Sequence, residues 1–215
     1  MKKQSINYIE YGWQESKTCA HDYLFPDICN IIKDLNVNKQ AKILDAGCGG
    51  GYILHELYKL GFEDVWGFDA SDTGIALART NYPALKDRIA VHDAYDNKLP
   101  SLFPVNKFDI ILSVEVIEHM YSPRDYLKNI RHWLNDGGLF IITTPYNGYM
   151  KNIIISLLNK YDLHHNPLWD GGHIKYFSKN TLYQILEEVG LKTVKFYGSG
   201  RLPFLWKSMI IAGRK

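Results

Sequence analysis

Between residues 41 and 145, short apolar runs alternate with stretches whose apolar side chains recur every three or four residues. The runs 41–46, 64–69, 88–93, 108–114 and 139–144 are the predicted strands. Of these, 108–114 (FDIILSV) is apolar on both faces, as buried parallel strands are. Helical spacing marks 22–35, 52–60, 72–82 and 123–134. Pro26 is expected in a first turn, Ser71 and Ser122 as N-caps, and Pro123 at a first helical position. Asn135-Asp136-Gly137-Gly138 predicts a turn. Strand–helix alternation on this spacing predicts a parallel, doubly wound sheet.

After residue 145 the rhythm changes. Residues 146–177 are rich in aromatics and histidine and include a helical stretch at 150–161, so they read as an insertion. A helix at 178–190 follows, capped by Ser178 and closed by Gly190. The last two runs, 192–197 and 208–213, are placed to pair antiparallel, and the connection 201–207 between them is expected to be buried. The expected fold is therefore α/β. Its sheet is doubly wound, seven-stranded and mostly parallel, with an antiparallel last strand and helices on both faces.

Composition narrows the classes. With 46% hydrophobic and 22% charged residues, 215 residues suit one soluble domain with a real core. The net charge of +2 is spread over dispersed Lys and Arg, which disfavours a nucleic-acid partner. No window approaches the ~20 apolar residues of a membrane span, and Met1-Lys2-Lys3-Gln4 does not lead into a signal-peptide core. Cys19, Cys29 and Cys48 lack CxxC spacing and read as reduced thiols, so a cytoplasmic location is expected.

The chemistry concentrates where the first strand ends. Ile43-Leu44 runs into Asp45-x-Gly47-x-Gly49-x-Gly51. A dinucleotide loop needs Gly-x-Gly-x-x-Gly. The sixth position is Tyr52 counting from Gly47 and Leu54 counting from Gly49, so neither register fits. Asp45 would repel a pyrophosphate and suit a cationic nucleoside ligand, which points to S-adenosylmethionine. Three more strand ends carry polar groups: Asp69-Ala70, His92-Asp93-Ala94, and Ser113-Val114-Glu115-Val116-Ile117-Glu118-His119.

With these four stations in order, the chain resembles the class I (Rossmann-like) S-adenosylmethionine-dependent methyltransferases, strongly over 41–145. It looks most like small-molecule members such as the ubiquinone-biosynthesis O-methyltransferases. The resemblance implies that Asp45, Gly47, Cys48, Gly49 and Gly51 form the cofactor turn. It places Asp69 and Ala70 at the ribose, Asp93 and Ala94 at the adenine, and the Val114 carbonyl at the ligand amine. It also implies one domain, 1–215, divided into an N-terminal lid and helix (1–40), a cofactor-binding core (41–145), a substrate-side insertion (146–177) and a C-terminal helix with strands (178–215).

His119 and Glu118 are the candidate catalytic pair, because a hydroxyl acceptor must lose a proton and histidine titrates near neutrality. His119 could equally cap the short helix it begins. Tyr11, Trp13, His21, His165 and His173 are the candidate acceptor-binding residues, with Tyr8 and Tyr23 in the same aromatic N-terminal segment. His164, His165 and His173 lack regular ligand spacing, so no metal is expected. The expected partner is a small-molecule acceptor, with no nucleic acid, no integral membrane segment, and a homodimer left open. The expected reaction is methyl transfer, at oxygen, by in-line displacement. The alternatives are a cofactor-binding module without chemistry, and a nicotinamide oxidoreductase, which the glycine spacing disfavours.

Overall fold

The computed structural model describes residues 10–215. Seven strands form one sheet: β1 (Ile43–Ala46), β2 (Val65–Asp69), β3 (Ile89–Val91), β4 (Phe108–Val114), β5 (Leu134–Pro145), β6 (Lys192–Ser199) and β7 (Ser208–Arg214). Their order is β3-β2-β1-β4-β5-β7-β6, and β7 alone runs antiparallel to its neighbours on both sides. The helices are α1 (His21–Asp34), α2 (Tyr52–Lys59), α3 (Asp72–Asn81), α4 (Pro123–Trp133), α5 (Tyr149–Leu157), α6 (Tyr161–His165) and α7 (Lys179–Glu188). The sheet is therefore the one expected from the sequence.

Alternate residues of each central strand feed two separate core layers. Ile43, Ile110 and Ile141 face Leu24, Ile28, Leu54 and Ile75 on one side. Leu44, Ile111 and Phe140 face Tyr126, Trp133 and Leu182 on the other. This two-sided burial is why the strands read as apolar runs. The chain winds outward from β1 through β2 to β3, then returns to place β4 on the opposite side of β1. The carboxyl ends of β1 and β4 thus flank the topological switch point, where open α/β sheets bind ligands.

Local chemistry explains most element boundaries. Ser71 caps α3 by accepting the Gly74 N–H at 2.9 Å. Ser178 and Thr181 form a reciprocal capping box at α7. Gly190, at φ +77°, closes that helix.

Four expectations shift. Ser122 does not cap α4, because its hydroxyl donates instead to Asp125 Oδ2 at 2.8 Å. Pro26 lies inside α1, beyond its first turn, so its missing N–H leaves one early carbonyl without an intrahelical partner. Residues 135–138 form a bulge rather than a separate turn: β5 already pairs at Leu134, and the four residues oppose Asp109 alone. The connection 201–207 is largely exposed, with Leu202 at 74% and Phe204 at 61%, because it lies beyond the strand ends. Its Trp206 turns inward, onto Tyr146 and Phe196.

Tyr126 ties the two site-bearing strands together. Its buried hydroxyl donates to the Ala46 carbonyl at 3.0 Å and lies 2.8 Å from Ser113 Oγ, which can donate to it in turn. Tyr126→Phe removes both contacts between the ends of β1 and β4. It should cost about 1–3 kcal/mol, read as a lower urea midpoint with an unchanged m-value.

Candidate active site

At the end of β1 the backbone turns through left-handed conformations at Gly47 (φ +94°) and Gly49 (φ +49°). The turn is pinned to β2, because the N–H groups of Gly47 and Cys48 both donate to the Phe68 carbonyl, at 2.8 and 2.9 Å. A side chain at Gly47 would strike Val116, and one at Gly49 would strike the Trp13 ring. Glycine is required here both for conformation and for close approach. Burial, with the charges of Asp45 and Asp69, keeps the Cys48 thiol protonated.

The two acids beside this turn differ. Asp45 is 1% exposed, and its Oδ1 has no hydrogen-bond partner. Burial, and then the neighbouring Asp69 carboxylate, push its pKa up to about 8. Such a carboxyl is poised for a cation, and a sulfonium-bearing ligand supplies one. Asp69 accepts the Gly49 N–H at Oδ2 and the Ser71 N–H at Oδ1, both at 2.8 Å. Each oxygen keeps a further lone pair, so Asp69 can hold the turn and still accept ribose hydroxyls. Ala70 follows directly.

Asp93 stands two residues beyond the end of β3 and is exposed. Its Oδ1 accepts the Tyr95 N–H at 2.9 Å, while the Ala94 carbonyl beside it accepts from Asn129. The residues expected to hold S-adenosylmethionine therefore fit it: a cradle without side chains, an unpaired buried acid, and two further carboxylates.

The end of β4 is more unusual. After Val114, Glu115 adopts a left-handed φ of +54°, a strained conformation for a residue with a side chain. It is held by Thr143, which accepts the Glu115 N–H at 3.0 Å and donates to Oε1 at 2.8 Å, and by Ser208 at Oε2. A short 3-10 turn, Ile117–His119, follows. Glu118 is completely buried, and neither of its carboxyl oxygens has a hydrogen-bond partner. Burial and the nearby Glu115 hold its pKa well above the carboxylate range.

His119 is oriented by the insertion. Its Nδ1 lies 3.0 Å from the Gly171 carbonyl and 3.2 Å from that of Gly172. Carbonyls only accept, so Nδ1 carries the proton and Nε2 keeps a free lone pair. Burial lowers the His119 pKa and favours this neutral form.

The insertion and the N-terminal segment meet over the strand ends. The Glu118 carbonyl accepts from Ile174 and Lys175 at 3.0 and 2.9 Å. Trp169 packs against the rings of His119, His173 and Tyr11. Tyr11 stacks in turn on Trp13, which covers Gly49 and Gly74. Glu10 reinforces this by bonding the hydroxyls of Ser71 and Thr73.

The other candidate residues divide. His173 joins the candidate pair Glu118 and His119, with Nε2 standing 4.0 Å from Glu118 Oε1. His165 lies among Tyr161, Tyr176 and His164 on the insertion side. His21 is engaged elsewhere: its Nδ1 accepts the Thr18 N–H and its ring stacks on Tyr52. Tyr8 lies outside the described residues. Among the described residues one cluster can hold a metal ion: Glu118, His119 and His173 offer ligand atoms within 4.8 Å of one another. It differs from the all-histidine set weighed from the sequence. The three-residue step from Glu115 to Glu118 was the local signal for this acidic turn, but the partnership with His173 has none.

Sheet order, glycine turn and strand-end acids together define a class I, Rossmann-like S-adenosylmethionine-dependent methyltransferase. The chain belongs to the methyltransferase-domain family, whose model matches residues 20–195. It is 31% identical to the ubiquinone biosynthesis O-methyltransferase of Roseobacter denitrificans, over 91% of this chain and 79% of that protein. It is 30% identical to the one from Pelagibacter ubique, over 79% and 71%. Among solved structures, the magnesium protoporphyrin IX methyltransferase of Synechocystis PCC 6803 with bound SAH matches with a TM-score of 0.67 at 14% identity, covering 89% of this chain and 82% of that one. The [4+2]-cyclase SpnF matches at 0.68 and 15%, covering 97% and 87%, so this fold alone does not fix a reaction. Among the described residues, no helix is long and apolar enough to cross a membrane.

Asp45 yields a stability prediction. Its folded pKa of about 8 lies above the ordinary value of 3.8. Its unfavourable burial is therefore absent below about pH 4 and grows as pH rises toward 8. Asp45→Asn should stabilise the ligand-free protein at pH 8 by on the order of 2–4 kcal/mol, with little effect at pH 4, while weakening S-adenosylmethionine binding. Denaturant midpoints at the two pH values, with calorimetric titration, check both signs.

Proposed function

We propose that the chain methylates a hydroxyl oxygen of a small-molecule acceptor, with His119 Nε2 taking the hydroxyl proton. The observation that carries this is the pair of carbonyls, from Gly171 and Gly172, that fixes the proton on Nδ1 and leaves Nε2 as the acceptor. The relatives named O-methyltransferases support the choice of oxygen.

In this reading, Gly47–Gly51, Asp69 and Asp93 hold S-adenosylmethionine, which supplies an electrophilic methyl group. The acceptor oxygen forms the new bond to carbon, the carbon–sulfur bond breaks toward sulfur, and S-adenosylhomocysteine departs. The protein's part is to align the two partners, exclude water and receive the proton. Trp13, Tyr11 and Trp169 form the cover that excludes water. The site residues and the division of the chain into lid, core and insertion belong to this proposal.

The grouping of Glu118, His119 and His173 favours a second reading of the proton step. A buried carboxyl without a hydrogen bond is costly unless it is neutral or faces a cation. A divalent cation there would lower the acceptor hydroxyl's pKa directly, with His119 as its ligand rather than as a base.

Two measurements test these readings. Asp69→Asn should weaken S-adenosylmethionine binding by about 1–3 kcal/mol in calorimetry. Unchanged affinity would remove Asp69 from the donor site. Turnover to S-adenosylhomocysteine should fall by about 10²–10⁴-fold in His119→Ala with little change in donor affinity. If turnover in wild type survives EDTA, His119 is the base; if it is lost and Mg²⁺ or Mn²⁺ restores it, the cation reading holds. A His119→Ala rate equal to wild type defeats both.

A further inference from the structure

Beside the His119 cluster lies a cavity of about 240 Å³, between the end of β5, the insertion and the 201–207 connection. Its lining contains four basic side chains, Lys151, Lys175, Arg201 and Lys207, and no acidic side chain. Among the described residues none of the four forms an ion pair within 4.0 Å. Charges gathered this way repel one another, and folding brings them together from three separate segments.

Lys151 is the built part of the site. It is 5% exposed, and its Nζ donates to the carbonyls of Tyr146 and Lys207 at 2.8 and 3.2 Å. An ammonium has three donors, so one remains for a ligand. Burial, and then the repulsion of Arg201, lower its pKa to about 8. The carboxylate that opposes this shift is Glu115, which belongs to the end of β4 and not to the cavity wall. Three histidines complete the lining, and His173 is shared with the catalytic cluster, its ring 5.0 Å from that of His119.

We propose that this cavity binds an acidic oxyanion of the acceptor, phosphoryl or carboxylate, and thereby places the acceptor hydroxyl at His119. The inference rests on the methyl-transfer reading above and adds the acceptor's chemical class. Clustered cations with spare donors, one of them buried, bind oxyanions through charge-assisted hydrogen bonds, for which phosphoryl and carboxylate groups are equally suited. A neutral acceptor would leave the buried Lys151 ammonium without an anion in the cavity.

The test uses the whole chain saturated with S-adenosylhomocysteine, titrated separately with inorganic phosphate and with benzoate. At least one should bind. The double variant Lys175→Gln, Arg201→Gln should weaken that binding by about tenfold or more, the usual effect of losing a charge-assisted hydrogen bond. Arg201→Lys should restore part of it. The arm that binds more tightly names the group. In turnover, a catechol bearing a carboxylate should have a lower KM than catechol itself. The double variant should raise that KM by a larger factor than it raises the KM for catechol. Binding of neither anion, or equal binding by wild type and double variant, overturns the proposal even if catechol is methylated. Anion binding that the double variant loses, with no hydroxyl acceptor turned over, upholds the cavity's ligand and overturns the methyl-transfer reading instead.

Discussion

The site is organised around carboxyl groups that the fold buries without giving them a full set of hydrogen bonds or a cation. Asp45 and Glu118 stand at the ends of β1 and β4, 1% and 0% exposed, with carboxyl oxygens that find no hydrogen bond. In a medium of low polarity such groups are either protonated or opposed by a cation. The rise in both pKa values states the first option for the ligand-free protein. Binding of a cation states the second. Free energy that could have stabilised the fold is instead held ready at the point where a positively charged donor would enter.

Everything near those two acids serves to keep them in place. The turn after β1 is tied to β2 through the Phe68 carbonyl and through Asp69, which grips Gly49 and Ser71 together. Tyr126 joins the end of β1 to β4 from the opposite face. Thr143 on β5 and Ser208 on β7 hold Glu115 in its left-handed conformation. Five strands therefore fix the geometry, so the arrangement is set before any ligand arrives. Preorganisation of this kind costs little at the moment of reaction.

How much of this was legible in the sequence follows from distance along the chain. The sheet, the glycine turn and the acids at 45, 69 and 93 are local features, in which period, turn chemistry and position after a strand carry the signal. What escaped was produced by folding back. The orientation of His119 depends on carbonyls more than fifty positions later. His173 reaches Glu118 only because Ile174 and Lys175 donate to the Glu118 carbonyl. The cationic cavity draws on residues 151, 175, 201 and 207, whose Lys and Arg look dispersed in the sequence. Ser122 failed as a cap because Asp125 competed for its hydroxyl, a choice between two local partners that spacing does not decide.

The two halves of the site carry opposite electrostatic character, and this has a consequence for turnover. Carboxyls surround the turn between β1 and β4, while cations line the cavity beyond His173. A cationic donor and an anionic acceptor would each be attracted to one side and repelled by the other, so orientation would follow from charge before contact. Methyl transfer then removes the sulfonium charge, because the sulfur of the product is neutral. In the proposed site Asp45 would then lose the sulfonium charge that favours its ionised form, and its burial would again favour protonation. The same unpaired carboxyl that favours the charged donor would therefore disfavour the product, and chemistry itself would weaken the hold on what must leave.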